Sequence, residues 1–310
     1  MQANAPVQGK PDDNAKAANG ASALANGVAR IKSDGANLRV RFLTAIILAP
    51  IVIAAIILSP WGLLAGCVFV SAAGLLEFLK IVKVKRRAPH SVLALFVGGL
   101  VWIAVVCEML FNLNMKYTYA FVLAALPLIL MLMLYRRELD SSFTTMGHIM
   151  LGWAYVLLPA QLFFVMSFLP TVTSPKLAYD WQIPIGILLL IWGSDVAAYF
   201  VGKAFGRNKL FPRISPGKTW EGFTGATLFI LLVGWGMNYV IPERFNWVIV
   251  AGIVAVFGTY GDLVESMLKR NIGVKDSGGI LPGHGGILDR FDGFFLAVPI
   301  IFLYLFYGLG

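Results

Sequence analysis

From about position 40 the chain runs as long apolar stretches broken by short polar ones. Nine apolar segments stand out, roughly 40–58, 61–80, 91–111, 118–135, 147–169, 183–202, 223–241, 246–265 and 291–308. Each is near the ~20 residues a helix needs to cross a bilayer. Ser59-Pro60 divides the first two, because Pro60 cannot continue a helix. The pattern predicts an all-α polytopic integral membrane protein with about nine transmembrane helices. Residues 1–37, rich in Ala, Asn, Gly, Lys and Asp, have no apolar period and are expected to be a disordered tail. No signal peptide is expected, since the first apolar segment begins only near Arg41, runs long and lacks a small-residue cleavage site. The expected organisation is a tail (1–37), an N-terminal set of about five spans (38–182), and a site-bearing region (183–310) with two charged loops, 203–222 and 266–290.

Composition agrees with a membrane location: 58% of residues are hydrophobic and 13% charged, against about 45–50% and about 25% in soluble domains. A net charge of +9 would fit a nucleic-acid binder, but its distribution excludes that reading. Of the 25 Lys and Arg, all but Lys116, Lys176 and Arg244 fall in the tail or in the loops after the second, fourth, sixth and eighth segments. Cytoplasmic loops carry such an excess, so the N-terminus is expected in the cytoplasm and the C-terminus outside. The basic loop 80–90 reads as a topology signal that also meets anionic headgroups. Cys67 and Cys107 lie in apolar segments without a C-x-x-C, which indicates neither zinc nor a disulfide framework.

Candidate chemistry gathers at one end of the spans. Asp195 lies inside the sixth segment, Asp262 and Glu265 close the eighth, and Asp289 and Asp292 open the ninth. Charged residues inside a span are costly and point to function. Both pairs are three residues apart, a spacing that places side chains on one helix face. Asp289 and Asp292 also sit about a helix N-terminus, where anions are favoured. The stretch Ser266–Asp292 adds Lys269, Arg270, Lys275 and Arg290 with Asp276, six glycines and His284. Cations neutralise phosphate oxygens. Carboxylates hold Mg²⁺, which shares its shell with substrate phosphates. Glycines admit an anion close to backbone N–H groups. The combination suits a metal-bound phosphate ester, with Mg²⁺ as the expected cofactor. His284 has no metal-ligand spacing, and His90 and His148 carry no motif. Glu77, at the same end, is able to join the site, whereas Glu108 lies at the other end.

Loop 203–222 carries Lys203, Arg207, Lys209, Arg213 and Lys218. Its Gly217-Lys218-Thr219 is not a phosphate-binding Walker A loop: Pro212 stands where that motif needs its first glycine, and no strand is expected before it.

The order S-x-x-K-R, four residues, K-D, then H-G-G-x-x-D-R-x-D is filled by Ser266, Lys269, Arg270, Lys275, Asp276, His284, Gly285, Gly286, Asp289, Arg290 and Asp292. It resembles the signature of the phosphatidate cytidylyltransferases, or CDP-diacylglycerol synthases. S-P-G-K-T-W-E-G, with Ser215, Lys218, Thr219 and Glu221, resembles the same family and the related polyprenol and dolichol kinase-like membrane enzymes. The resemblance covers roughly 190–292 strongly. It implies transfer of the cytidylyl group of CTP to phosphatidate, giving CDP-diacylglycerol and pyrophosphate for phospholipid biosynthesis. A bacterial cytoplasmic (inner) membrane location and a site facing the cytoplasm go with it. Expected metal ligands are Asp262, Asp289 and Asp292, with Asp195 a further candidate. Lys218, Lys269, Arg270 and Lys275 are expected on phosphates, with Asp276 and His284 orienting the loop. Ser215, Thr219, Glu221, Ser266, Gly285, Gly286 and Arg290 are expected near substrate. Implied partners are CTP, phosphatidate and membrane lipids, without nucleic acid and with a homodimer left open. The alternatives are a CTP-dependent polyprenol or dolichol-type kinase and, as a different class, a transporter. Against the latter, the charges cluster at one face and no inverted repeat is evident.

Overall fold

A computed structural model of the chain describes residues 49–82, 89–111, 142–170, 178–242, 245–274, 277–278 and 285–308, together with positions 120, 124, 127 and 131. The expected tail 1–37, the start of the first apolar segment up to position 48, most of the fourth, and Lys275, Asp276 and His284 lie outside the described residues. The chain divides into two compact units, Met1–Pro50 and Ile51–Gly310. Apart from Ala49 and Pro50, everything below concerns the second.

Eight helices are described. They are α1 (Ala49–Leu58), α2 (Pro60–Ile81), α3 (Pro89–Phe111), α4 (Ser142–Gly152, Trp153–Leu157 and Leu158–Met166 in succession), α5 (Gln182–Phe205), α6 (Trp220–Val240), α7 (Trp247–Ile253, Val254–Gly258 and Thr259–Ile272 in succession) and α8 (Leu288–Gly308). All but the ten-residue α1 are long and apolar enough to cross a membrane. The Ser59-Pro60 break acts as its chemistry requires: the Ser59 hydroxyl accepts from Trp61 N–H at 3.2 Å, and Pro60 takes the first helical position.

Two features depart from the sequence reading. The loop 203–222 is not wholly irregular, and the chain is not entirely α. Strands β1 (Lys209–Phe211) and β2 (Ser215–Thr219) pair antiparallel, with Lys209 opposite Thr219 and Phe211 opposite Ser215. A strand does therefore accompany Gly217-Lys218-Thr219, which lies within it. Pro212 still excludes a Walker A loop, because the residues before Gly217 form the tight turn of a hairpin. The second departure is the length of α7, which continues through Ser266–Ile272, the start of the expected loop. Glu265 and Lys269, four residues apart, share a buried face, while Arg270 is exposed. The helix stops at Gly273, whose φ of +77° suits glycine, with Gly273 N–H donating to the Arg270 carbonyl and Val274 N–H to that of Lys269.

Without a hydrophobic drive between spans, close backbone approach through small residues holds membrane helices together. Gly202 of α5 meets Gly222 of α6, and Gly234 of α6 meets the backbone of Trp247 on α7. Trp247 is fully buried and donates its indole N–H to the Ile241 carbonyl at 2.9 Å. On the other side α8 packs its buried Phe294, Phe295, Val298 and Ile301 against α2 and α4, with Phe163 and Phe294 edge to face at 5.0 Å. The crossing that positions the site is α7 on α8. A Cβ on Gly261 would lie 2.5 Å from the Asp292 carbonyl oxygen and 2.9 Å from Gly293 Cα. Since both obstacles are backbone, Gly261→Val is expected to force the helices apart at a cost of about 1–3 kcal/mol. Thermal unfolding in detergent checks this: the variant should melt lower, and Gly66→Ala, whose Cβ meets nothing within 4 Å, should not.

Candidate active site

The α7–α8 crossing sets two adjacent turns side by side. Asp262 and Glu265 project from α7 and Asp292 from α8, and one carboxylate oxygen of each lies within 4.8 Å of the others. Glu265 is buried, its Oε1 without a hydrogen-bond partner among the described residues. The Asp292 Oδ1 accepts from Gly293 N–H at 2.7 Å. Two ionised carboxylates at that separation repel by about 3–4 kcal/mol at an effective dielectric of about 20, so the trio requires compensating charge.

Two lysines supply part of it. Lys218, on β2, places Nζ 2.6 Å from Asp262 Oδ2 and donates to the Thr259 carbonyl at 3.2 Å. The Ser266 hydroxyl donates to Asp262 Oδ1 at 3.2 Å. One turn further, Lys269 Nζ bridges Glu265 Oε2 at 3.0 Å and Asp289 Oδ1 at 2.6 Å. With three carboxylates against two shared ammonium groups, and with hard oxygen donors within 4.8 Å of one another beside a buried Glu265 oxygen that has no hydrogen-bond partner among the described residues, the set fits a small divalent cation.

Asp289 has different partners. Besides Lys269, its carboxylate accepts the backbone N–H groups of Ser277 and Gly286, each at 3.0 Å. Gly285, at φ +82°, would bring a Cβ to 3.1 Å from Asp289 Oδ2, so glycine suits this turn on both counts. The spacing of three residues fails to put Asp289 and Asp292 on one face because Phe291, between them, is not helical (φ −118°, ψ 16°). The bend turns Asp289 to the loop and Asp292 to the trio.

The remaining expected residues are distributed around this centre. Asp195 of α5 is within electrostatic reach of Lys218, Asp262 and Arg290. Arg270 is exposed at the end of α7. Ser215 opens β2. Thr219 caps α6, accepting from Gly222 N–H at 3.2 Å. Glu221 receives Arg207 N–H at 3.0 Å, Asn208 N–H at 3.1 Å and the Asn208 amide at 2.7 Å, and so closes the hairpin base onto α6.

Two residues that the sequence marks as candidates, but that were not among the expected ligands or substrate contacts, belong beside it. Glu265 was marked by its spacing from Asp262, and its burial completes the trio. Glu77 of α2 reaches the loop before α8: its Oε2 accepts from Leu288 N–H at 3.1 Å and from the Ser277 hydroxyl at 3.4 Å. The only signal in the sequence was a lone carboxylate near the end of an apolar span.

The profile of the cytidylyltransferase family matches residues 39–308. A phosphatidate cytidylyltransferase of Staphylococcus aureus (strain COL) is 51% identical over 116 residues, which cover 36% of this chain and 45% of that protein. That of Bacillus subtilis (strain 168) is 48% identical over 120 residues, covering 38% and 45%. That of Staphylococcus haemolyticus (strain JCSC1435) is 49% identical over 116 residues, covering 36% and 45%. The chain thus spans less than half the length of the curated relatives it matches.

Removing one member of a buried ionic set leaves the others uncompensated, at about 3–5 kcal/mol. Lys269→Met is therefore expected to lower the melting temperature in detergent sharply. Adding Glu265→Gln should restore part of that loss, since it removes one of the stranded charges; no recovery in the double variant would contradict the bridging role of Lys269.

Proposed function

Because the chain belongs to the cytidylyltransferase family, we propose that it transfers the cytidylyl group of CTP to phosphatidate, giving CDP-diacylglycerol and pyrophosphate for phospholipid biosynthesis. The observation that carries this reading is the trio Asp262, Glu265 and Asp292 with Lys218 and Lys269 against it, at one end of a bundle of apolar helices. Both substrates are anions and one is a lipid. A site at the end of membrane spans lets the acyl chains remain among the helices while the headgroup meets a water-soluble nucleotide.

The reaction needs little from a general base, since a phosphate monoester is already ionised near neutral pH. A phosphatidate oxygen attacks the α-phosphorus of CTP, and the bond from that phosphorus to the oxygen bridging to the β-phosphate breaks as the new one forms. The chain's task is to hold two anions in line and to offset the charge that develops on the leaving pyrophosphate. Mg²⁺ on Asp262, Glu265 and Asp292 would supply a template and Lewis acidity towards the phosphate oxygens. Lys218 and Lys269 flank those carboxylates and hold phosphate next to them. By the resemblance of their motifs, Arg270 and Lys275 would bind phosphate, and Asp276 and His284 would orient the segment before α8. Asp195 adds carboxylate charge from the α5 side. Asp289 acts through Lys269 and the loop that it fastens.

The proposal extends to the membrane. Nine spans, with the N-terminus in the cytoplasm and the C-terminus outside, put both loops on the cytoplasmic face. That the hairpin before α6 meets α7 at Lys218 and Asp262 supports a common side for the two loops. A bacterial inner-membrane protein so oriented would draw on the cytoplasmic CTP pool.

Purified protein incubated with labelled CTP, phosphatidate and Mg²⁺ tests the reaction. The expected products are CDP-diacylglycerol and pyrophosphate; release of CDP with a phosphorylated lipid would instead indicate a kinase. Asp292→Asn should lower kcat by about 100-fold or more and raise the Mg²⁺ needed for half-maximal rate. Cysteine placed at Gly279 should react with an impermeant thiol reagent only from the cytoplasmic side, and labelling from outside would overturn the orientation.

A further inference from the structure

Helix α2 is apolar almost throughout, yet it buries a carboxylate. Glu77 is 3% exposed. A charge placed there costs several kcal/mol unless it is well used. Its use is on the neighbouring α8, 211 residues away in sequence, where Oε2 accepts the N–H of Leu288, the first residue of that helix. The residues just before that helix, Gly286 and Ile287, offer no side-chain oxygen to cap it. Glu77 provides the cap from another helix.

The same oxygen accepts the Ser277 hydroxyl at 3.4 Å, while the Ser277 N–H donates to Asp289. Ser277 is thus gripped by carboxylates from α2 and α8 at once. Gly286 is held the same way: its N–H donates to Asp289, and a Cβ on it would collide with both Ser277 Oγ and Glu77 Oε2. A Cβ on Gly278 would collide with Glu77 Oε1. The two ends of the segment 277–286 are therefore cinched together by Glu77 and Asp289, and the first turn of α8 is fixed by the same contacts. That turn leads directly to the bend at Phe291 and to Asp292 of the trio.

We infer that Glu77 is a positioning residue for cytidylyl transfer: without touching substrate, it caps α8 and ties Ser277 to the first turn of that helix so that Asp289 and Asp292 take their places. The inference rests on the proposed activity of the same site.

The test compares Glu77→Leu, which keeps volume and removes both acceptors, with Glu77→Gln, which keeps an acceptor for Leu288 N–H. Hydrogen exchange of peptides covering 277–292 reads the clip without reference to activity; kcat and its Mg²⁺ dependence, per folded enzyme, read its consequence. In Glu77→Leu, exchange at these amides is expected to quicken. The rate should fall by about 100-fold, the scale of a misplacement of about 1 Å, with a higher Mg²⁺ requirement. Glu77→Gln should recover most of the protection and at least about a tenth of the wild-type rate, the range seen for outer-sphere partners of metal ligands. Unchanged exchange in Glu77→Leu overturns the clip. Faster exchange with wild-type kcat and Mg²⁺ dependence reduces Glu77 to a structural part and overturns the positioning role. If Glu77→Leu does not fold, Ser277→Ala, which deletes one of the two bonds, must show the same changes at smaller size; wild-type exchange and kcat in it overturn the inference. If the unmodified protein forms no CDP-diacylglycerol, the proposed activity fails, and the exchange results alone decide whether the clip exists.

Discussion

The mutual repulsion of carboxylates at the end of apolar helices governs this structure. Asp262, Glu265 and Asp292 converge within 4.8 Å, an arrangement that a low-dielectric setting penalises unless positive charge is supplied. The helix crossing that creates the problem depends on Gly261 and Gly293, which admit backbone contact between α7 and α8. The answer lies in elements that otherwise have little reason to be there. A hairpin delivers Lys218 to Asp262, and a helical extension beyond the apolar part of α7 delivers Lys269 to Glu265 and Asp289. The charge still outstanding is what a divalent cation and its phosphate ligands would complete.

Around this centre, two sets of contacts make local geometry dependable. Glu221 closes the base of the hairpin through the Arg207 and Asn208 amides, so Lys218 arrives on a tethered strand rather than a free loop. Asp289 and Glu77 close the base of the loop before α8. In both, a carboxylate satisfies backbone N–H groups that the end of a regular element would leave without partners. Such supports hold a constellation in register and need not meet substrate.

Much of this was legible in the sequence, for identifiable reasons. The seven described spans follow the apolar segments within a few residues at most ends, since bilayer thickness dictates their length. Asp262 and Asp292 were identifiable because charge near an apolar span is rare enough to stand out, whereas Lys218 and Lys269 stood out through the motifs that resemble the family. The end of α7 was misjudged because hydropathy counts charge without regard to face, and Glu265 and Lys269 lie on a buried one. The hairpin was missed because S-P-G-K-T lacks the alternation that marks a strand. The different settings of Asp289 and Asp292 turn on one non-helical residue, Phe291, which spacing cannot reveal. Glu77 could not be paired with Leu288 because nothing local links positions 211 residues apart.

The central claim is that the trio on α7 and α8 is a divalent-cation site. Crystals of the protein grown with Mn²⁺ in place of Mg²⁺, measured at the manganese absorption edge, test it most directly. The account predicts an anomalous peak among the carboxylates of Asp262, Glu265 and Asp292, at about 2.0–2.3 Å from their oxygens, and its loss in Asp292→Asn. A peak located elsewhere, or none among these carboxylates while the protein turns over with Mn²⁺, would contradict it.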